Sequence, residues 1–134
     1  MRKKKIMIID DDKEFLEEFR ETLNLSGYDT WALSDGQSAL GVVFIAEPDV
    51  ILLDLKMKGK SGFQIASELK SFPETAHIPI IAMTAFYTEK EHAELLNWCG
   101  IQACLIKPFN PQEAVAKIKA ALKKKGNSHD MRPM

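Results

Sequence analysis

Short, wholly apolar runs recur along this chain, and each closes on a polar residue. Ile6-Met7-Ile8-Ile9 runs into Asp10-Asp11-Asp12, Val50-Ile51-Leu52-Leu53 into Asp54, Ile80-Ile81-Ala82-Met83 into Thr84, and Ala103-Cys104-Leu105-Ile106 into Lys107. Runs this short, bounded by turn signals, read as strands; the run before Asp54 reads as buried on both faces, and that before Asp10 as a second buried strand. A further strand over 29–33 starts polar and carries Thr30 and Trp31, which suits a sheet edge.

Helical periods separate the runs. Phe15, Phe19 and Leu23 recur every four residues with Leu16 beside them; Asp11 and Glu14 predict the N-terminal cap and Gly27 the stop. Ser34 with Gln37 and Ser61 with Gln64 are capping-box pairs. They open helices carrying Ala39, Leu40, Val43 and Phe44, stopped before Pro48, and Ile65, Ala66 and Leu69. Thr88 with Glu91 opens another, bearing Leu95, Leu96 and Cys99 and closed by Gly100. Asn110, Pro111 and Glu113 suit N-cap, N1 and N3 of a last helix, with Ala114, Val115, Ile118, Ala121 and Leu122 as its stripe and Gly126 as its end.

The predicted order is therefore β-α repeated five times with no other element inserted. It implies an α/β fold: a parallel five-stranded sheet with helices on both faces, doubly wound by right-handed crossovers. The chain of 134 residues is one domain's worth, expected over 1–126, and the stretch 127–134 lacks an apolar period and is expected to be a flexible tail.

A net charge of −1 provides no field to draw nucleic acid, and the basic clusters at 2–5 and 123–125 read as a strand lead-in and a helix C-terminus. Cys99 and Cys104 fit no metal spacing or disulfide framework and suit a reducing compartment. The first apolar run is too short for a signal peptide or a membrane span, so a cytoplasmic protein with no membrane contact is expected.

In a parallel sheet all strand C-termini share one edge, where open α/β folds place their ligands. Asp10, Asp11, Asp54, Thr84 and Lys107 therefore meet on one rim. Taken singly, each has a bland reading: a loop-capping acid, a strand-end hydroxyl, a snorkelling lysine. Together they do not. At ~4 Å and an effective dielectric near 20, each pair of charged carboxylates costs about 4 kcal/mol. Protons or a cation must neutralise them, and a few hard oxygen ligands suit Mg²⁺ (or Mn²⁺). A carboxylate is a competent nucleophile toward phosphorus; Lys107 can meet a phosphoryl oxygen as a point charge, and the Thr84 hydroxyl can donate to another.

The segments Ile8-Ile9-Asp10-Asp11, Leu52-Leu53-Asp54, Met83-Thr84-Ala85 and Lys107-Pro108-Phe109 resemble the receiver domain of bacterial two-component response regulators, over about residues 4–125. The resemblance implies the chemotaxis-type, flavodoxin-like fold with sheet order 2-1-3-4-5. It implies that Asp54 accepts a phosphoryl group from a sensor histidine kinase or phosphotransfer protein, and that the same rim catalyses its own phosphorylation and dephosphorylation. Asp11 and Asp54 would ligate Mg²⁺, with Asp10 acting through water and the Lys56 backbone carbonyl as a further ligand. Thr84 and Lys107 would bind the phosphoryl oxygens, and the Lys107–Pro108 bond would be cis. A protein target would be met through the last helices and strand, over 88–125, by a monomer or weak dimer.

The chain departs from that pattern where the family often has Pro, at Lys58, and Asp-Gly, at Ser61-Gly62. Cys104 stands where the family has its switch aromatic, so an aromatic rotation cannot be its readout. Phe86, two residues past Thr84, is expected to screen an acyl phosphate from water.

Two other readings compete. One is an interaction module that keeps the fold and works without phosphorylation. The other is a small-phosphoester hydrolase, which would need its nucleophile on the first strand and a cap insertion not seen in the sequence. No Gly-rich phosphate loop follows any strand, which argues against nucleotide binding.

Overall fold

The structure, a computed structural model, describes residues 2–85, 97, 100, 101 and 103–130, with side chains as far as Lys124 in the last helix. The expected helix opened by Thr88, Cys99 and Phe86 lie outside the described residues. The elements are β1 (Lys5–Ile9), α1 (Lys13–Leu25), β2 (Asp29–Leu33), α2 (Ala39–Ala46), β3 (Val50–Asp54), α3 (Gly62–Lys70), α4 (Pro73–Ala76), β4 (Ile80–Thr84), β5 (Ala103–Ile106) and α5 (Pro111–Asp130). All strand pairs are parallel, in the order β2-β1-β3-β4-β5. This is the flavodoxin-like order implied by the sequence motifs.

The period of two along each strand splits the core. Met7, Ile9, Ile51 and Leu53 face Val43 of α2 and Ile65 and Leu69 of α3. Ile6, Ile8, Val50 and Leu52 face Leu16, Phe19 and Leu23 of α1 and Ile118 of α5. Both β1 and β3 are thus covered on two sides, as their unbroken apolar runs require. Each large side chain so buried contributes about 1.5–3 kcal/mol. The outer strands differ: Trp31 on β2 is 42% exposed and Ile106 on β5 is 47% exposed.

Local signals were obeyed with four corrections. Ser61 and Gln64 form the reciprocal capping box of α3, and Gly27 at φ +99 follows the end of α1. The cap of α1, however, is Asp12, whose side chain accepts from the Phe15 amide. Asp11 is engaged elsewhere, accepting the Lys58 amide at 3.0 Å.

Before α2, Asp35 outcompetes Ser34: its carboxylate takes the Gln37 N–H at 2.8 Å and the Ser38 hydroxyl at 2.8 Å. The chain makes a 3-10 turn over Gly36–Ser38 before the α-helix starts at Ala39. Among the described residues, one element is inserted into the β-α alternation, the single-turn α4, with Pro73 at its start and Glu74 in its first turn. Finally, α5 continues past Gly126 to Asp130. A lone glycine costs a helix about 1 kcal/mol relative to alanine and is not by itself a stop.

Candidate functional site

The register carries four strand ends to one rim. Ile9 lies beside Leu53, Asp54 beside Met83, and Thr84 beside Ile106. Asp10 follows β1, Asp54 and Thr84 end β3 and β4, and Lys107 follows β5. Asp10, Asp54 and Thr84 are buried, with exposures of 0%, 6% and 1%, and Asp11 is exposed.

One ligand oxygen from each of Asp10, Asp11 and Asp54 lies within 4.8 Å of the others. Backbone amides fix each carboxylate. Asp10 Oδ1 accepts from the Asp12 amide at 2.9 Å, Asp11 Oδ2 from the Lys58 amide at 3.0 Å, and Asp54 Oδ1 from the Lys56 amide at 3.1 Å. The Lys107 ammonium bonds Asp10 Oδ2 at 2.5 Å and stands 4.0 Å from Asp54 Oδ2. The Lys107 amide donates to the Thr84 carbonyl at 2.7 Å, which ties β5 to β4 beside the site. The Lys107–Pro108 bond is cis, as the motif implied.

Burial pushes the Asp54 carboxyl up to about 6. The Lys56 amide opposes this, Asp10 adds to it, Lys107 opposes it and Asp11 adds to it. Three carboxylates against one ammonium leave two negative charges when all are ionised. A divalent cation with oxygen preference matches that deficit, so the donor set fits Mg²⁺ or Mn²⁺.

Sequence reasoning missed the surroundings of Lys107. Its ammonium lies over the Phe15 ring, 4.5 Å from the centroid. Phe15, Phe19 and Phe109 pack on one another at 5.4–6.0 Å. A cavity of about 520 Å³ beside them is lined by Phe15, Phe19, Ala85, Lys107 and Phe109. The four-residue spacing of Phe15 and Phe19 gave a core stripe, and nothing local joins them to Phe109. A larger cavity of about 670 Å³, between α1 and β2, touches none of the rim residues.

The comparisons with known proteins agree with this fold. The response regulator receiver domain matches residues 6–119, and the chain belongs to that family. Among curated relatives, the phosphate regulon transcriptional regulatory protein PhoB of Pseudomonas aeruginosa is 35% identical over 131 residues. That alignment covers 98% of this chain and 57% of PhoB, so the chain spans little more than half of that relative's length.

Among solved structures, the chemotaxis protein CheY4 of Vibrio cholerae superposes with a TM-score of 0.85 at 26% identity. The match covers 90% of this chain and 100% of CheY4. A response regulator from Desulfuromonas acetoxidans gives 0.81 at 32% identity, over 90% of this chain and 97% of that one. Among the described residues, no helix is long and apolar enough to cross a membrane.

Proposed function

We propose that this receiver domain is a phosphoacceptor switch, with Asp54 as the accepting residue. The observation that carries the reading is the joint presence, on one rim, of a buried Asp54, two further acids within 4.8 Å and the Lys107 ammonium at 4.0 Å. The donor is a phosphohistidine on a sensor kinase or phosphotransfer protein. Asp54 Oδ2, the oxygen facing Lys107, attacks phosphorus; the P–N bond breaks, its electron pair stays on the imidazole, and an O–P bond forms. The Lys107 ammonium turns from Asp10 toward one phosphoryl oxygen, and the Thr84 hydroxyl donates to a second. Hydrolysis reverses the state: water attacks phosphorus, the O–P bond breaks, and inorganic phosphate leaves.

Asp11, Asp54, Asp10 through water and the Lys56 carbonyl are the residues to hold Mg²⁺ or Mn²⁺. When bound, the ion supplies positive charge to the phosphoryl oxygens as the transfer proceeds. The switch unit spans 1–126, with α5 running on to Asp130, and works in the cytoplasm. Its output is a change in binding over 88–125 to a protein target. Cys104 is half-buried against the core on the α2 and α3 side, and it is too small to signal by swinging outward.

The test is to incubate the protein with Mg²⁺ and a small acyl phosphate and to weigh it. A gain of one phosphoryl group that Asp54→Asn abolishes is the expected result. No gain with any small donor, or an unchanged gain in Asp54→Asn, overturns the assignment. Unchanged target affinity in Asp54→Asn would instead favour a module that works without phosphorylation.

A further inference from the structure

We propose that Phe15 is a positioning residue for Lys107: its ring holds the lysine ammonium over the acidic rim without fixing the direction of its N–H bonds. The proposal rests on the phosphoacceptor reading for its purpose, and on the geometry for its existence.

Lysine carries its charge on a four-carbon stem with several rotatable bonds. At this site the ammonium must do two things. Before transfer it neutralises Asp10, which is wholly buried. During transfer it must reach an oxygen arriving near Asp54 Oδ2, 4.0 Å from its resting place. A second carboxylate or a carbonyl would hold it too well, because each such partner binds one N–H along one direction. An aromatic face attracts the cation through its quadrupole and is indifferent to rotation about the stem. The ammonium can therefore exchange Asp10 for a phosphoryl oxygen while keeping the ring as a constant third partner.

The ring is placed for that role by several independent contacts. The Phe15 amide donates to the α1 cap, Asp12 Oδ1, at 3.1 Å, so the backbone beneath the ring is anchored. Phe19, one turn on, packs against it at 5.4 Å. Phe109, reached through the turn after Lys107, meets it edge-on at 6.0 Å and 86°. Phe19 and Phe109 themselves meet at 5.4 Å. The result is a three-ring cluster, built from α1 and the turn before α5, in which Phe15 presents its face to the lysine ammonium. An aliphatic residue at position 15 would keep an apolar neighbour beside Phe19 and Phe109 and lose the attraction.

The experiment has two arms. In the metal-free, unphosphorylated protein, NMR reads the ε-methylene protons of Lys107. A ring above them moves these protons upfield, and the shift is expected in the wild type and lost in Phe15→Leu. Wild-type ε-protons at ordinary lysine positions overturn the proposal.

In the second arm, Phe15 is replaced by mono-, di- and trifluorophenylalanine, which keep the shape and weaken the face. The rate of phosphorylation by a small acyl phosphate is expected to fall stepwise, by about threefold or more in all. A rate indifferent to fluorine number overturns the proposal, because a merely structural ring would behave that way. If the wild type accepts no phosphoryl group, the phosphoacceptor reading fails and the ring-current arm alone decides the placement of Lys107.

Discussion

Lys107 rests on Asp10, not on Asp54. The ammonium bonds Asp10 Oδ2 at 2.5 Å and stands 4.0 Å from Asp54 Oδ2. Asp10 is the deepest of the three acids and its other oxygen is held by the Asp12 amide. The lysine is thus a structural counter-ion to Asp10 and is within reach of Asp54, so stability at this rim is tied to the function proposed for it.

Removing that counter-ion should therefore unfold the protein more easily. Breaking a buried ion pair on one side costs about 3–5 kcal/mol. The Lys107 side chain is 23% exposed, so water relieves part of that, and Lys107→Met is expected to lose about 2–3 kcal/mol in urea melts with chelator present. The double variant Asp10→Asn with Lys107→Met should recover most of it. A single variant as stable as the wild type would show that the Lys107–Asp10 pair does not support the fold.

Asp54 should act in the opposite direction. Its carboxyl is raised from 3.8 to about 6, chiefly by burial, against the bond from the Lys56 amide. A folded-state value above the unfolded one means that the fold prefers the protonated acid. The stability this provides is fully present below about pH 3.8 and is lost as pH rises to about 6. At pH 7 only the penalty remains. After discounting for solvent at the open rim, Asp54→Asn is expected to gain about 1–2 kcal/mol at pH 7 in the metal-free protein. The gain should shrink toward zero near pH 4 and also shrink when Mg²⁺ is added to both proteins. A gain independent of pH would locate the effect elsewhere.

The strands and the rim were legible in the sequence because their signals are local and repeated. A run such as Val50-Ile51-Leu52-Leu53 can only be buried on both faces, and parallel strands then bring Asp10, Asp54, Thr84 and Lys107 together without further information. Caps were harder. Asp10, Asp11 and Asp12 are chemically alike, and Asp12 caps α1 because the rim takes the first two. The Pro73-Glu74 start of α4 was present in the sequence but masked by the regular β-α rhythm. The Phe15–Phe109 contact had no local signal at all, since 94 residues separate the two.

Gly62 shows the same limit and yields a prediction. It matches the glycine of the family's Asp-Gly pattern while Ser61 departs from the Asp, and the structure shows what the missing Cβ allows. A Cβ there would overlap the Asp54 carbonyl oxygen and lie 2.7 Å from Leu55 Cα. Both are backbone atoms of the segment that carries Asp54, so neither can swing aside. Gly62→Ala must push α3 away from β3, at about 1–3 kcal/mol. It should also slow phosphorylation by moving Asp54, which a mass time course would show. Gly41→Ala is the control. It sits in the exposed part of α2 with nothing within 4 Å of its Cβ, and it should stabilise by up to about 1 kcal/mol. Equal melts for the two alanine variants would remove the close-approach argument.

Lys58 separates backbone from side chain at the same rim. Its amide, not its ammonium, holds Asp11 Oδ2 at 3.0 Å, at the position where the family often has proline. Lys58→Ala keeps the N–H and should leave both stability and Mg²⁺ binding within experimental error. Lys58→Pro removes the donor. A hydrogen bond to a charged acceptor contributes about 1.5–3 kcal/mol when buried, less at this exposed acid. Proline offsets about 0.4–1 kcal/mol by restricting the unfolded chain. The expected net loss is about 0.5–1 kcal/mol in metal-free urea melts. Mg²⁺ should narrow the difference, because a bound cation gives Asp11 the partner that the missing amide no longer supplies. If Lys58→Ala and Lys58→Pro melt alike with and without Mg²⁺, the amide bond does nothing to hold Asp11 in place.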